Sequence, residues 1–529
     1  MAPLLAPVER SELPPVMAND GSGLPFDPWA GIDLATTEQI MARLELPPLS
    51  PSLMGLWRRL MTETSSGPAG ASMEQFTAVR AEALYRSGQL KELEALFSTA
   101  APASADPLIT ALSARYDIAV GRRDRGCSGV REAAARKQDL PRQLGAEMLV
   151  LAGYCAAAAG NRSAASLAAD LAREEGLDDA GLISALNAIA SGGKPRPQRS
   201  GPITPTHYRL LQLAKAVDPK TIVERADAAL LSALVLDPTT DDRLRVAAAE
   251  AAAQRNVITP DALAEVYRSQ RFSPDDLARP LASDVDPLLR RAVLFQAAES
   301  ERDPVRQAQI IRAFVDDARQ AGVYVHALMS VAPLAEAIPQ SAELAWFGET
   351  AIEAALVSGN HGSARAWWTA LAAGGRDGDR LEHWLALSDI ANADLRAPRG
   401  LHLPAVEALA LRGGFSAPVL HRLATVLDAL DYQVPMQLWH VASSTPQPND
   451  GYLPETGVLT ELKEASSREQ FARTVLLVMQ TLGPKGAEGA HIIALGDAIR
   501  ALKRIGLEAE ARRVGLEALF GAWPRSAIH

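Results

Sequence analysis

Only two of the 529 residues are cysteine, Cys127 and Cys155, and their spacing is not CxxC. That spacing suggests neither a zinc cluster nor thioredoxin-like redox chemistry. Aromatic residues make up 5% of the chain against 48% hydrophobic residues in all, so alanine and leucine must supply much of any core. β-Branched residues are sparse outside isolated positions, which argues against sheets. No stretch approaches the ~20 apolar residues that span a bilayer. The longest candidate, Met148 to Asn161, is bounded by Glu147 and Arg162. Basic residues number 53 and acidic ones 63, for a net charge of −10, and the charges are interspersed. A nucleic-acid partner would require a clustered positive face, so none is expected. GxSxG, HExxH, Walker A and GxGxxG motifs are all missing. The nine histidines are scattered. Of these, His383 reads as a surface or half-buried helix residue and His361 as a solvated turn residue. The acid pairs Glu174-Glu175, Asp241-Asp242 and Asp316-Asp317 read as capping or solvated groups. The expectation is a protein that is not an enzyme and that takes no cofactor and no metal.

What the chain does have is punctuation for many short helices. Ser50-Pro51, Asp106-Pro107, Asp218-Pro219, Thr259-Pro260, Ser273-Pro274, Asp286-Pro287 and Asp303-Pro304 each pair a capping side chain with proline. The side-chain oxygen satisfies orphan N–H groups at a helix start, and proline at the first helical position forfeits an N–H that would be unpaired anyway. Thr36 with Gln39 fits a capping box. Gly88, Gly121, Gly160, Gly359 and Gly506 each sit in a short turn between two Ala/Leu-rich stretches of about one helix length. The first three are 33 and 39 residues apart, a period in the range of stacked helix pairs. The spacing predicts helix pairs 74–87 with 91–98, 107–119 with 124–137, 141–159 with 163–175, and 342–357 with 362–373. Helices 469–482, 487–504 and 509–519 follow.

These turns resemble tetratricopeptide-type repeats. That family places glycine in the inter-helix turn, a small residue five positions on and a large apolar residue four further. Gly359, Ala364 and Trp368 match all three slots. Gly88, Leu93 and Phe97 match with leucine in the small slot. Gly160, Ala165 and Ala169 match the small slot only, and in Gly506, Ala511 and Gly515 glycine fills the large slot. The resemblance covers about half of the chain. It implies an all-α fold: a right-handed superhelical array of antiparallel helix pairs, a TPR-like α-solenoid. A second resemblance is to a conserved exported family of alphaproteobacterial proteins whose function is not settled. It is carried by Gly23-Leu24-Pro25-Phe26-Asp27-Pro28-Trp29, by Arg125-Gly126-Cys127 and by Gly153-Tyr154-Cys155-Ala156-Ala157-Ala158-Ala159-Gly160, and it implies a periplasmic location.

The cysteines give that location a physical test. Cys127 falls in the first turn of the second helix of one pair, and Cys155 in the last turn of the first helix of the next. Antiparallel packing puts the start of one beside the end of the other. A disulfide needs Cα atoms about 4.4–6.8 Å apart, which this arrangement can supply. Closing the 28-residue separation stabilises by roughly 3 kcal/mol in the chain-entropy model. A bond would point to an oxidising compartment; two buried thiols are the alternative. Met1-Ala2-Pro3 shows no basic n-region or apolar h-region, and the Pro-rich opening looks like the mature start of an exported chain.

The expected organisation is an extended Pro-rich arm (1–35), N-terminal repeats (36–192), a linker rich in Pro, Gly, Lys and Arg (193–205), middle repeats (206–373) and C-terminal repeats (374–529). Candidate partner-binding residues are Phe26 and Trp29 in the arm, which either anchor it or form a docking peptide. Further candidates are Trp346, Trp367, Trp368 and Trp384, either core packing or an aromatic hot spot on a concave face. Adjacent helical residues diverge by about 100°, so Trp367 and Trp368 cannot both face the core. The loop 443–457 with Tyr452 is a candidate binding edge. The expected function is a non-enzymatic protein-binding scaffold of the bacterial periplasm within an envelope complex for motility, secretion or cell-wall work. Its partners would be proteins of that complex. The alternatives are a solenoid accessory subunit of a peptidoglycan-acting enzyme and a cytosolic TPR-like regulator or chaperone.

Overall fold

The computed structural model describes residues 24–63, 67–100, 106–177, 179–195, 201–373, 376–394 and 399–525. The described residues form 29 α-helices and no β-ladder. The fold is all-α, and successive helices pack as neighbours through short turns.

The recurring turn is a Schellman closure. One residue adopts the left-handed conformation, and the next N–H reaches back to a carbonyl five residues earlier. Gln89 reaches Leu84, Arg122 reaches Asp117, Asn161 reaches Ala156, Asn360 reaches Ala355 and Leu507 reaches Leu502, at 2.8–2.9 Å. Gly160 and Gly359, at φ of 80° and 78°, have open space where a Cβ would stand, so backbone conformation alone calls for glycine there. Gly88 is more constrained, because a Cβ would lie 2.5 Å from the Ala228 carbonyl oxygen. The same closure occurs without glycine at Lys215, Asn256, Asp431 and Glu469, with φ between 52° and 60°.

The proline signals start helices at Pro51, Pro107, Pro219, Pro260, Pro274 and Pro304. Asp286-Pro287 instead caps a turn, and its helix begins at Arg290. Thr204-Pro205 opens a further helix, Pro205–Leu213. The Thr36 capping box is not formed: Asp33 accepts from Thr36 N at 2.7 Å, so the helix starts at Leu34. The stretch 342–357 divides into a 3₁₀ helix, Ala342–Phe347, and an α-helix, Gly348–Ser358. Three residues per turn align Leu344 with Phe347, and both are buried. The stretch 487–504 also divides. Residues 490–491 run extended, and Tyr452 donates to Gly489 O and accepts from His491 N. His491 then caps helix Ile492–Arg504.

The chain separates into two compact units. One is continuous, Ala71–Val266. The other is split and combines the described residues up to Gly70 with those from Tyr267 onward. The expected linker 193–205 lies inside the continuous unit. Ile203 within it is buried and exchanges backbone hydrogen bonds with Arg225 and Asp227.

In the continuous unit the helices meet through small residues. Gly126 faces Ile118 and Gly129 faces Ala114 so closely that a Cβ would come within 2.7 Å and 2.9 Å of them. Ala165, Ala169, Ala172, Ala248, Ala249, Ala252 and Ala253 are fully buried. In the split unit the core is aromatic. Tyr267, Phe295 and Phe314 form a triangle with centroids 5.7–6.0 Å apart. Here the early residues lie against the late ones. Pro28 O accepts from Ala472 N at 2.9 Å, Arg59 pairs with Glu510 at 2.5 Å, and Glu517 accepts from Ser52 N at 2.8 Å and from the Ser50 hydroxyl.

Candidate functional site

Two places in the molecule have the character of a site: a charged cleft in the continuous unit and an exposed apolar edge in the split one. The cleft is built on the turn between helices Pro107–Ala119 and Arg123–Ala135. Cys127 on the second helix is disulfide-bonded to Cys155 on helix Arg142–Ala158, with Cα atoms 5.7 Å apart. The covalent link ties the helix that begins with Arg123 to the helix that carries Tyr154.

The floor of the cleft is Arg209, on helix Pro205–Leu213. It is buried and fully engaged. Nε donates to Ile118 O at 3.0 Å, Nη2 to Ala119 O and Asp237 Oδ2 at 2.7 Å, and Nη1 to Gln212 Oε1 at 2.8 Å. A cation on the last carbonyls of a helix is favoured by the helix dipole, and a charge-assisted bond to Asp237 offsets its desolvation. Burial opposes the Asp237 charge, but hydrogen bonds from Thr239 and the Arg209 ion pair hold its carboxyl below the usual range.

The walls are Arg122, Arg123, Asp124 and Arg125 on one side, with Tyr154, Gln212 and Thr239 on the other, around a volume of about 530 Å³. Arg122 pairs with Glu94 at 2.6 Å. Arg125 Nε meets the buried Asp117 at 3.0 Å. Burial raises the Asp117 carboxyl, and Arg125 and Arg122 work against that rise. Arg123 Nε meets the exposed Asp124 at 3.5 Å. Burial raises the Tyr154 phenol as well, so its O–H remains a donor.

The aromatic candidates of the split unit divide between core and surface. Trp29, Trp367 and Trp384 are interior residues, so they pack the core and do not form a surface that a partner could reach. Trp367 meets Phe347 with centroids 6.0 Å apart. Trp384 donates to Glu349 at 3.0 Å and lies 6.0 Å from Phe520. Trp368, turned away from Trp367 along the same helix, is half-buried and donates to Gly378 O at 3.0 Å. Trp346 is half-buried beside Phe347. In the arm, Leu24 and Trp29 are the anchors, whereas Phe26 is 71% exposed; residues 1–23 lie outside the described residues.

Tyr452 is 38% exposed and is fixed through its backbone to Gly489 and His491. Leu453 beside it and Ile493 just after His491 are exposed too, giving that edge an apolar character. The sequence reading missed the most exposed apolar helix of this unit, Met436–Ser443. Met436 is 81% exposed, and Trp439, three residues on and so on the same face, is 42% exposed. The signal was present as an apolar pair at helical spacing next to Pro435.

Two of the histidines singled out in the sequence pack against neighbouring segments of the chain. His361 is half-buried, not solvated, and shares a 3.0 Å hydrogen bond with the buried Ser388. Burial, with Arg365 and Arg513, lowers its imidazole. His383 is buried, pairs with Pro524 O at 2.8 Å and stacks on Trp523. Among the described residues no group of three or more His, Cys, Asp or Glu could hold a metal ion. None of the described helices is long and apolar enough to cross a membrane. Comparison with protein-family models, with curated proteins and with solved structures finds no match to this chain.

Proposed function

We propose that this protein is a non-enzymatic protein-binding scaffold of the bacterial periplasm, a structural or assembly component of an envelope complex. The observation that carries the reading is the apolar edge of the split unit. At that edge Tyr452, Leu453 and Ile493 are exposed around a backbone-bonded turn, and Met436 and Trp439 are exposed on helix Met436–Ser443 of the same unit. Exposed tryptophan, tyrosine and methionine on a rigid frame are the side chains enriched at the centre of protein interfaces. The Cys127–Cys155 bond supports an oxidising compartment, since such bonds are rare where thiols are kept reduced.

Site-specific photocrosslinking in cells tests this reading. A photoreactive residue at Trp439 or Tyr452 should give a discrete crosslinked species, and one at the exposed Arg173 of the other unit should not. An identical pattern at all three positions, or no crosslink at any, would sink the proposal. Non-reducing peptide mapping of protein from fractionated cells tests the bond, and free thiols at Cys127 and Cys155 would remove its support for the periplasm.

A further inference from the structure

We propose that the arginine cleft of the continuous unit binds a small molecule carrying two or more carboxylate or phosphate groups. This site is independent of the scaffold reading, because it lies in the other unit and concerns a small ligand.

The first argument is charge. Four arginines and two aspartates line the cleft, so its surface is rich in cationic donors in a chain whose net charge is −10, while Glu94 and Asp117 beside it balance the rest of that charge. Arg209 and Asp237 neutralise one another in the floor. The three remaining arginines face acids that leave most of their donors unused. A guanidinium has five N–H donors. Arg125 meets Asp117 through Nε, Arg123 meets Asp124 through Nε, and Arg122 meets Glu94 through one Nη. Asp124 is almost wholly exposed and Glu94 half-exposed, so water screens both. Asp117 lies behind the wall rather than in the cleft. A ligand with paired oxyanions can therefore add fork-shaped contacts to Arg122, Arg123 and Arg125 without removing any existing partner. Tyr154 and Thr239 supply neutral hydroxyl groups opposite.

The second argument is rigidity. The wall that carries the arginines is fixed on three sides. Gly121, at φ 85°, lies so close to Asp237 that a Cβ would come within 2.7 Å of its carboxylate. Gly126 and Gly129 seat the helix on Ile118 and Ala114. The disulfide two residues beyond Arg125 ties it to the residue after Tyr154. A fixed backbone frame leaves only the arginine side chains to be ordered on binding, and a volume of about 530 Å³ is in the range of small-molecule sites.

Isothermal titration of the disulfide-bonded full chain, at constant ionic strength, tests the proposal with pyrophosphate, citrate, acetate and tetraglutamate as probes. Saturable one-to-one binding of pyrophosphate or citrate, with none for acetate, is the expected result, and the better of the two polyanions identifies the ligand's chemistry. Arg123→Ala and Arg125→Ala should each weaken that binding roughly tenfold. Arg123→Lys, which keeps the charge but not the fork, should fall between, and Arg173→Ala should bind as the parent does. Both cleft arginines are more than half exposed, and an unchanged circular dichroism spectrum confirms that each variant is folded. No saturable binding of either polyanion, or parental affinity in Arg123→Ala, overturns the proposal. Binding of tetraglutamate alone also overturns it and assigns the cleft to an acidic protein segment.

Discussion

All eight tryptophans lie in the split unit and both cysteines in the continuous one. The largest fully buried side chains, Trp29, Trp57, Trp367, Trp384 and Trp523 among them, belong to the split unit. Each buried aromatic removes a large apolar area from water. The continuous unit packs its helices through alanine and glycine, which brings backbones close but buries little area per residue. There a covalent bond takes over part of the work, while a buried arginine on helix-end carbonyls is common to both units, Arg209 in one and Arg512 in the other. The difference teaches that one helical architecture can be held by two sets of forces, and that the two can be perturbed separately.

The largest effect should follow removal of a buried ring. Trp384→Ala leaves a cavity beside Phe520, and a cost of about 3–5 kcal/mol is expected. Denaturant unfolding followed by tryptophan fluorescence reads the split unit alone, so that transition should move while part of the circular dichroism signal stays in place. A fully coincident shift of both signals would break the comparison. Replacing both cysteines by serine should do the reverse. It should cost roughly 3 kcal/mol, seen by circular dichroism and not by fluorescence.

Acid should act with opposite sign on two buried groups, one in each unit. Burial pushes the Asp227 carboxyl up to about 6, against its hydrogen bond from Leu230 N and the charges of His207, Arg115 and Arg255. The folded state then keeps a proton that the unfolded chain has released, so the contribution of Asp227 to stability is lost as pH rises from about 4 to about 6. In the split unit, burial lowers the His326 imidazole to about 4. The unfolded chain takes up that proton first, so stability there falls as pH drops from about 6.5 to about 4. Each change amounts to about 3 kcal/mol across its window. Asp227→Asn should flatten the first slope and His326→Gln the second; loss of neither would refute the assignment. The smallest effect belongs to the turns. Gly359→Ala meets open space and should cost only about 1 kcal/mol of backbone strain, whereas Gly88→Ala, facing the Ala228 carbonyl, should cost more in thermal unfolding.

The helices were legible because their ends carry local chemistry. Six of the seven proline-paired caps start helices, and the five glycine turns close pairs. The turns at Lys215, Asn256, Asp431 and Glu469 were not legible, because a packed neighbourhood holds a left-handed residue there without glycine. Helix pairing brought the two cysteines together in the sequence, leaving a disulfide or two buried thiols, and the bond is the one formed. The arginine cleft was not legible: the run Arg122-Arg123-Asp124-Arg125 is local, but its floor, Arg209, comes from a helix remote in sequence. The fates of the tryptophans were half legible. The offset between Trp367 and Trp368 follows from helix geometry, but which of them enters the core depends on Phe347. The exposed pair Met436 and Trp439 was not legible, because an eight-residue helix carries too few turns for its periodicity to tell an exposed apolar face from a buried one.

The contact between Ser52 and Glu517 joins positions 465 residues apart. During synthesis the helix Pro51–Thr62 emerges hundreds of residues before its partner, helix Glu508–Phe520, exists. Leu53, Leu56, Trp57 and Leu60, all buried in the finished molecule, have nowhere native to go in that interval. The continuous unit, complete once residue 266 has been made, has no such wait. A folding order therefore follows from connectivity: the middle of the chain first, and the two ends together last. In the meantime the early helix is an exposed apolar segment that a chaperone can hold.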